Sequence, residues 1–373
     1  MDQLAIKMLV ADRGKLLTAL VGVVFSVVLV NVQGGLFLGL IGKASLLVDQ
    51  SGADLWVGHL RMNNVDFPQD IPRRWVHRIR AIDGVERADP YVIGHTIMTL
   101  PSGAFEQVLV VGCDSASLAG AAAQMALGEV GAIRSPDAVL LDADDLDKVE
   151  HPAIGELREV GHRRARVVGY TRGVLGFLVT PYVFTTLDRS AAYLRKPTDR
   201  VSYFLVRLAP GADARRVRQA IEARLPDAET MTAREYAVAS IDYWLRRTGI
   251  GLSFGAATGL GLVVGLIVVG QTLYASVLDR APEYATLKAI GASEAQLRSV
   301  LVCQAVTLAL AGSACGLLLV AVAQTACATP RAPITIPWQV SVGSVVLVGV
   351  ICLFASLAPY LKLRRVDPGL VMQ

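Results

Sequence analysis

Charged side chains are scarce in this sequence of 373 residues. Asp, Glu, Lys and Arg account for 18% of it, against about 25% in soluble globular proteins. Residues 16–42, 248–278, 299–330 and 332–361 contain none of the four residue types. Each stretch is longer than the roughly 20 residues that cross a bilayer core. An ordinary soluble protein is therefore excluded, and membrane-spanning helices are expected.

The last two uncharged stretches are separated only by Arg331, with three prolines close by. Because proline interrupts helices, this break is predicted to be the tip of a hairpin rather than part of one long helix. The sequence therefore predicts four spans, at residues 16–42, 248–278, 299–328 and 339–361, with an outer loop at 329–338.

Cysteine is also sparse, with five in the chain. Cys113 is the only one between the first and second spans, so no disulfide can form within that region. We interpret the four in the apolar runs as small hydrophobic residues; they are Cys303, Cys315, Cys327 and Cys352. A region of about 200 residues is large enough to fold on its own core.

Signatures of catalysis and metal binding are missing. The chain has no H-E-x-x-H and no Walker A pattern, and the region between the first two spans has no G-x-S-x-G, so no hydrolase site or nucleotide-binding loop is indicated. The acidic cluster Asp142, Asp144, Asp145 and Asp147 lacks the glycine and glutamate of an EF-hand loop. It is more typical of a solvated helix end, and the sequence predicts no catalytic residue and no metal site.

Lys and Arg near span ends indicate the orientation, because they tend to stay in the cytoplasm. Such residues precede the first span, lie between the second and third, and follow the fourth. Both termini are therefore predicted inside, with a tail at 362–373 and, at 1–15, an interfacial helix or a frayed polar tail. The first span is too long for a cleaved signal peptide and is expected to remain as an anchor.

Residues 43–247, which we call the outer domain, are predicted outside the cytoplasm. Strand and helix patterns alternate along them: a strand at 53–60, a helix at 71–82, two strands within 86–111, and a strand, helix and strand within 201–231. Residues of about 118–200 are predicted to form an inserted subdomain. The fold class expected is an α-helical four-span bundle with a large extracytoplasmic α+β domain inserted between spans 1 and 2.

The charge balance argues against nucleic-acid binding. Acidic and basic residues are equal in number within the outer domain, so the net charge of +4 falls on the membrane-spanning part. A modest basic excess there is sufficient for contact with anionic lipid headgroups. The membrane is therefore an expected partner, and nucleic acid is not.

The coupling segment, as we name residues 279–298, has the clearest local pattern. Pro282 and Glu283 suit the first turn of a helix, and Gly291 suits the left-handed position that closes one. Ser293 and Gln296 have the spacing of a capping box, which starts a second helix. The segment is thus predicted to be helix, glycine break, helix, with Tyr284, Leu287 and Ile290 along one face.

The sequence EYATLKAIGAS between the second and third spans resembles the coupling helix of MacB/FtsX-type ABC transporter permeases, closest to the DevC-like branch. The resemblance covers the whole chain in layout, but only this stretch is motif-specific. It implies that six residues contact a separate ATPase subunit: Glu283, Tyr284, Leu287, Lys288, Ile290 and Gly291. A plain interhelical loop is the alternative.

The resemblance also implies partners and a mechanism. ATP and Mg would be bound by the partner ATPase, and this chain would carry no cofactor of its own. Closure of the ATPases would move the spans and, through them, the outer domain (mechanotransmission), exporting a lipid, peptide or drug-like substrate with a periplasmic membrane-fusion adaptor and an outer-membrane channel. The expected location is the bacterial inner membrane.

Glycines recur every fourth residue in the second span. One series is Gly251, Gly255 and Gly259, and a second is Gly261 and Gly265. Small residues allow close helix contact, either within one subunit or at the seam of a homodimer; the resemblance favours a dimer. Asn31 is predicted near the outer end of the first span, without a role in transport.

Three other functions remain open from the sequence. Within the same family, the chain could be a lipoprotein-releasing permease or an FtsX-like regulator of cell-wall hydrolases, although the latter usually has a smaller outer domain. From another class, it could be a membrane-anchored binding or sensor protein without a motor. A neighbouring gene for a Walker-type ATPase would distinguish these classes.

Overall fold

The computed structural model describes residues 7, 9, 11, 13–177, 180–279, 281–327, 329, 334–357 and 360–361. The predicted tail, most of the predicted interfacial helix and residues 330–333 of the predicted outer loop lie outside the described residues. Contacts divide the chain into two compact units. The membrane unit comprises Met1–Gly39 and Gly251–Gln373, and the second unit is Leu40–Ile250, which contains nearly all of the outer domain.

The described helices and strands follow one another in this order. They are α1 (Arg13–Lys43), α2 (Leu46–Asp49), β1 (Leu55–His59), β2 (Ile71–Pro72), α3 (Trp75–Arg80), β3 (Val85–Thr99), β4 (Phe105–Cys113), β5 (Met125–Leu127), β6 (Ala138–Asp142), β7 (Leu157–Val160), β8 (Arg163–Thr171), β9 (Tyr182–Thr186), α4 (Leu187–Leu194), β10 (Arg200–Val201), β11 (Tyr203–Leu208), α5 (Ala214–Arg224), β12 (Ala228–Thr232), α6 (Ala233–Arg247), α7 (Ile250–Asp279), α8 (Ala281–Ala289), α9 (Glu294–Cys327) and α10 (Trp338–Ala355). Short 3-10 helices occupy Val130–Arg134 and Ala143–Val149.

Four helices of the described residues, α1, α7, α9 and α10, are long and apolar enough to cross a membrane. This confirms the four predicted spans. The apolar cluster of the bundle draws residues from all four, for example Val27, Val269, Leu308 and Val348. Since the interior of a bilayer is itself apolar, such helices associate by close packing rather than by the hydrophobic effect.

Helix α1 contacts each of the other three spans. A Cβ added at Gly22 would lie 2.6 Å from Val268 of α7, and one added at Gly312 of α9 would lie 2.5 Å from Val23. Asn31 of α1 donates a hydrogen bond to Ser344 of α10, at 2.7 Å. The described bundle is therefore organised around its first helix.

Asn31 is a polar residue in the interior of the bundle. Its side chain is fully buried within the bundle, and its amide also donates to the carbonyl of Val27, at 2.8 Å. A polar group in apolar surroundings is costly unless it is hydrogen-bonded. The Asn31 amide nitrogen is satisfied by these two bonds and links α1 to α10, whereas its Oδ1 has no partner among the described residues. Its predicted position near the outer end of the span stays a prediction.

The outer domain is built on a mixed sheet of ten described strands. Nine follow the order β12-β1-β11-β3-β4-β9-β6-β8-β5, and β7 pairs with β3 and β8. Neighbours are antiparallel except for two parallel pairs, β4 with β9 and β6 with β8. With helices packed on this sheet, the predicted α+β class is confirmed.

Both faces of the sheet are buried around β1. Leu55 and Val57 point into the core that contains Ile79 of α3 and Ile221 of α5. Trp56, between them, points to the opposite core, beside Tyr236 of α6. The two-residue period of a strand therefore serves a separate core on each side, which explains why all three β1 residues are inaccessible.

The predicted inserted subdomain, about 118–200, contributes β5 to β9 to this same sheet. The long strand β3 joins the two parts, because its first half pairs with β11 and its second half with β4. The helix predicted at 71–82 is shorter than expected. Ile71 and Pro72 instead form β2 and pair with β10, so only Trp75–Arg80 remain helical.

Candidate functional site

The coupling segment forms the predicted helix, break and helix. Helix α8 spans Ala281–Ala289, with the Thr286 hydroxyl donating back to the carbonyl of Pro282 at 2.9 Å. Proline near the first turn removes no intrahelical hydrogen bond, because that N–H would have no partner. The segment thus begins where its sequence indicated.

Gly291 ends this helix. Its φ is +101°, and the N–H of Ala292 donates to the carbonyl of Leu287 at 2.9 Å. This six-residue closure is the Schellman motif. A Cβ added at Gly291 would meet nothing within 4 Å, so glycine is needed here for its backbone conformation and not for space.

The predicted capping box at the start of α9 is confirmed. The Ser293 N–H donates to the Gln296 side chain at 2.9 Å, and the Gln296 N–H donates to the Ser293 hydroxyl at 3.3 Å. Two donors that a helix start would leave without partners are thereby satisfied. The break between α8 and α9 is thus fixed at both ends by local hydrogen bonds.

The inner face of α8 is anchored in the membrane unit. Tyr284 is 1% exposed and belongs to an apolar cluster with Val277 of α7 and Leu297 and Leu301 of α9, against which Leu287 is partly buried. Tyr284 is therefore a core residue and not part of the predicted ATPase-facing surface. At 3.6 residues per turn, a stripe of every third residue drifts by about 60° per step, so Tyr284 and Ile290 point in different directions.

The opposite side of the coupling segment, away from this apolar cluster, consists of Glu283, Thr286 and Ile290. All three are exposed, and Ile290 is 81% exposed. Glu283 and Thr286 lie on one side of α8 because they are three residues apart. Ile290 directly follows the last helical residue, and its N–H still donates to the Thr286 carbonyl at 3.0 Å. Thr286 was missed by the sequence pattern, which selected apolar residues. Gly291 is exposed as well, and the side chain of Lys288 lies outside the described residues.

The location of the coupling segment within the bundle follows from an ion pair. Lys15, near the start of α1, pairs with Asp279, the last residue of α7. These helices are therefore antiparallel, and the segment that starts at Asp279 begins at the same end of the bundle as α1. At this end of the bundle Tyr284 packs against residues of both α7 and α9.

The two glycine series of α7 differ in their surroundings. Gly261 and Gly265 face Leu29 and Ser26 of α1, so closely that an added Cβ would approach within 2 Å. Gly255 and Gly259 are exposed, and an added Cβ there would meet nothing within 4 Å. Gly251 is partly buried. The second series thus packs inside this subunit, whereas Gly255 and Gly259 leave an open surface.

The acidic cluster of the outer domain is structural. The Asp142 carboxylate accepts hydrogen bonds from the backbone N–H of Asp144 and Val174 and from the Thr171 hydroxyl, at 3.0–3.1 Å. Both Asp142 and Asp145 are buried, so the predicted solvated helix end is wrong for these two. Among the described residues, no three His, Cys, Asp or Glu side chains are placed to hold a metal ion.

Fold and site together define a class: a membrane protein with four candidate spans, whose second and third spans are joined by a short helix, a glycine break and a capped helix start. Family models identify it further. A model for the MacB-like periplasmic core domain matches residues 16–224, and one for the FtsX-like permease C-terminal region matches residues 255–368. The chain belongs to the ABC transporter permeases of the MacB/FtsX type.

Relatives agree with this assignment. An uncharacterized ABC transporter permease of Mycobacterium tuberculosis is 28% identical over 220 residues, which is 58% of this chain and 57% of that protein. One of Mycobacterium bovis is 27% identical over 221 residues, with the same coverage. The aligned part thus spans little more than half the length of these relatives.

Solved structures similar to this chain include two isolated domains. The periplasmic region of MacB from Actinobacillus actinomycetemcomitans has a TM-score of 0.39 and 9% identity, covering 50% of this chain and 91% of that one. The extracellular domain of the noncanonic ABC-type transporter YknZ from Gram-positive bacteria has a TM-score of 0.36 and 8% identity, covering 48% and 98%.

Proposed function

We propose that this chain is the permease subunit of an ABC exporter and transmits the work of a separate ATPase to its outer domain. The observation that carries the proposal is the coupling segment. One side of it is anchored in the ends of α7 and α9 through Tyr284, and the other side exposes an apolar residue, Ile290. Such a connector can receive a partner and pass its movement to two spans at once.

The partner is an ATPase subunit that binds ATP and Mg, because the chain contains no Walker A sequence. Its contact surface comprises Glu283, Thr286 and Ile290, with Leu287 and Gly291 at the edge; Lys288 is included on the basis of the sequence alone. Tyr284 supports this surface from beneath. The termini and the coupling segment are cytoplasmic in this proposal, in agreement with the distribution of Lys and Arg.

The permease acts as a homodimer in this proposal, with one copy for each of two ATPases. Support comes from the space beside Gly255 and Gly259, where an added Cβ would meet no atom within 4 Å. The space beside Gly261 and Gly265 is instead occupied by side chains of α1. Small residues on an open face permit the close approach of another helix. The cargo is a lipid, peptide or drug-like molecule, handled with a periplasmic adaptor and an outer-membrane channel. Membership of the DevC-like branch stays a prediction.

The test is a charge placed in the contact surface. Ile290→Asp should abolish co-purification with the cognate ATPase and permease-stimulated ATP hydrolysis. Burying an unpaired carboxylate costs several kcal/mol, and every 1.4 kcal/mol weakens binding about tenfold. The full-length variant should insert and fold normally, because the side chain is exposed and has few contacts of its own.

Val238→Asp is the matched control. Val238 is also an exposed apolar residue on a helix, with 58% exposure on α6 of the outer domain, and its replacement should leave ATPase binding unchanged. If Ile290→Asp and Glu283→Lys both retain normal binding and stimulation, the segment is an ordinary loop and the proposal fails. Absence of any ATPase that binds the wild-type chain would favour the motor-less sensor instead.

A further inference from the structure

A basic cleft opens on the outer domain, on the side of the short β2 and β10 ribbon. It has a volume of about 590 Å³. Its lining comes from β2, α3 and the turn between them, from Asp199 and Arg200 at the start of β10, and from Pro90 and Asp114. Ligand pockets of proteins typically measure about 300–1,000 Å³. The cleft is therefore large enough for a small molecule or for the head of a larger one.

Positive charge predominates in the cleft. Four arginines line it, against two aspartates, and His77 adds a further group that can become cationic. The arginines are Arg73, Arg74, Arg80 and Arg200. The outer domain as a whole has equal numbers of acidic and basic residues, so this concentration is local. An excess of two positive charges in a concave surface attracts anions.

Three of the four guanidinium groups donate hydrogen bonds to backbone carbonyls. Arg80 donates to the carbonyl of Ala88 at 2.8 Å, Arg73 to that of Thr198 at 3.4 Å and Arg200 to that of Asp70 at 3.5 Å. A backbone carbonyl fixes the direction of a guanidinium without cancelling its charge. Within the described part of the chain, the Arg74 side chain makes no hydrogen bond or ion pair, so its donors face solvent.

The nearby carboxylates compensate these charges only weakly. Asp89 lies 3.9 Å from Arg80 but pairs with Arg87 at 2.6 Å. Asp188 lies 3.9 Å from Arg73 and is 82% exposed, where an ion pair contributes little. Asp114, which lines the cleft, accepts hydrogen bonds from the backbone N–H of Ala116 and Ser117.

We propose that the basic cleft binds a phosphate group, carried either by a lipid headgroup or by a soluble phosphorylated compound. A guanidinium presents several N–H donors in one plane, which match the oxygens of a phosphate and give short charge-assisted hydrogen bonds. Arg74 and Arg200 supply the donors least engaged with the protein, and Arg73 and Arg80 add charge from fixed positions. The apolar floor of Pro72 and Pro90 accommodates the group that bears the phosphate.

The test is calorimetric titration of the full-length protein, purified in a neutral detergent, with inorganic pyrophosphate and, separately, with dihexanoyl phosphatidic acid. Saturable binding is expected, and it should weaken with added salt because the cleft is open to solvent. The double variant Arg74→Gln/Arg200→Gln should bind at least about tenfold more weakly, since two charge-assisted contacts are lost. Tighter binding of the lipid than of pyrophosphate assigns the phosphate to a headgroup, and the reverse assigns it to a soluble compound.

Arg216→Gln is the control, because Arg216 is an exposed arginine of α5 outside the cleft; it should bind as the wild type does. The double variant removes only exposed side chains, and an unchanged unfolding temperature would show that it is folded. The proposal is overturned if neither phosphate compound binds, if the double variant binds as tightly as Arg216→Gln, or if a polyglutamate peptide competes better than pyrophosphate.

Discussion

Asp66 is a carboxylate in the interior of the outer domain. It is 4% exposed, accepts a hydrogen bond from the Tyr182 hydroxyl at 2.8 Å, and its own N–H donates to the Asn64 side chain. Burial raises the pKa of Asp66 to about 6, and the Tyr182 hydrogen bond opposes this only in part. The folded protein therefore holds this proton more tightly than the unfolded chain does.

Asp66→Asn should change how stability depends on pH. With a pKa raised from 3.8 to about 6, the native state binds more protons than the unfolded state between these values, so the free energy of unfolding falls as pH rises through this window. Above about pH 7 the ionised carboxylate costs on the order of 3 kcal/mol. Asparagine still accepts from Tyr182, so the variant should be more stable than the wild type at pH 7.5 and nearly equal at pH 4.

The measurement is the unfolding temperature of the full-length protein in detergent at several pH values, reported as the variant minus the wild type. This difference isolates Asp66 from His95, whose pKa is lowered by burial and which acts in both proteins. Asp188→Asn, at an exposed position, should show no such difference. A constant difference between pH 4 and 7.5 would contradict the assignment.

At the scale of elements, the structure shows which features a local sequence pattern can predict. Gly291, Ser293 and Gln296 were predicted correctly because a helix end is decided by hydrogen bonds within a few residues. The burial of Tyr284 was not, because it depends on Val277 and Leu297 in two other helices. For the same reason the sequence could not tell which glycines of α7 face α1, although it located both series.

Dimer formation through α7 can be tested at Gly255. Gly255→Leu should reduce dimer content and transport, because a large side chain on the open glycine face would separate helices that approach there. The fold of the subunit should be unaffected, since a Cβ at Gly255 meets nothing in this chain. Dimer content is measured by cross-linking in lipid membranes and by light scattering in detergent.

Gly343→Leu is the matched control, since Gly343 of α10 is also exposed and without neighbours within 4 Å. It should leave the dimer intact if the seam runs along α7. Gly261→Leu, by contrast, should impair folding, because its side chain would overlap Leu29. Wild-type dimer content and transport in Gly255→Leu would show that this face is in contact with lipid only.

At the scale of the whole molecule, the orientation in the membrane can be tested by thiol labelling. Cys113 is unsuitable as a reporter, because it is fully buried and burial raises the pKa of its thiol far above the ordinary value, whereas the thiolate is the reactive form. Exposed positions serve better. In a cysteine-free background, Ser102→Cys should react with an impermeant reagent in intact cells, and Ile290→Cys only after permeabilisation.

The control is the cysteine-free chain, which should not be labelled under either condition. Labelling of Ile290→Cys in intact cells, with Ser102→Cys protected, would reverse the orientation and remove the proposed ATPase contact. Protection of both positions until permeabilisation would place the outer domain in the cytoplasm. Either result would be visible on a single gel.

In the outer domain, the sequence pattern predicts where individual strands lie but not their order in the sheet. Individual strands such as β3, β4 and β11 were located from alternation of apolar residues and turn signals. Their order in the sheet depends on pairings between distant segments, such as β4 with β9, which no local period encodes. The continuity of the sheet through residues 118–200 was therefore not foreseen.

The position of β1 within the sheet determines when this strand can pair as the outer domain folds. Leu55, at the start of β1, pairs on one side with Val206 of β11 and on the other with Thr232 of β12. Neither partner exists outside the membrane until most of the domain has been translocated. Because contacts between distant segments carry a loop-closure cost and form slowly, the β3 and β4 hairpin can form early, whereas β1 must wait with both its edges unpaired. During that interval both edges of β1 have unpaired backbone groups, which are open to pairing with a strand of another chain.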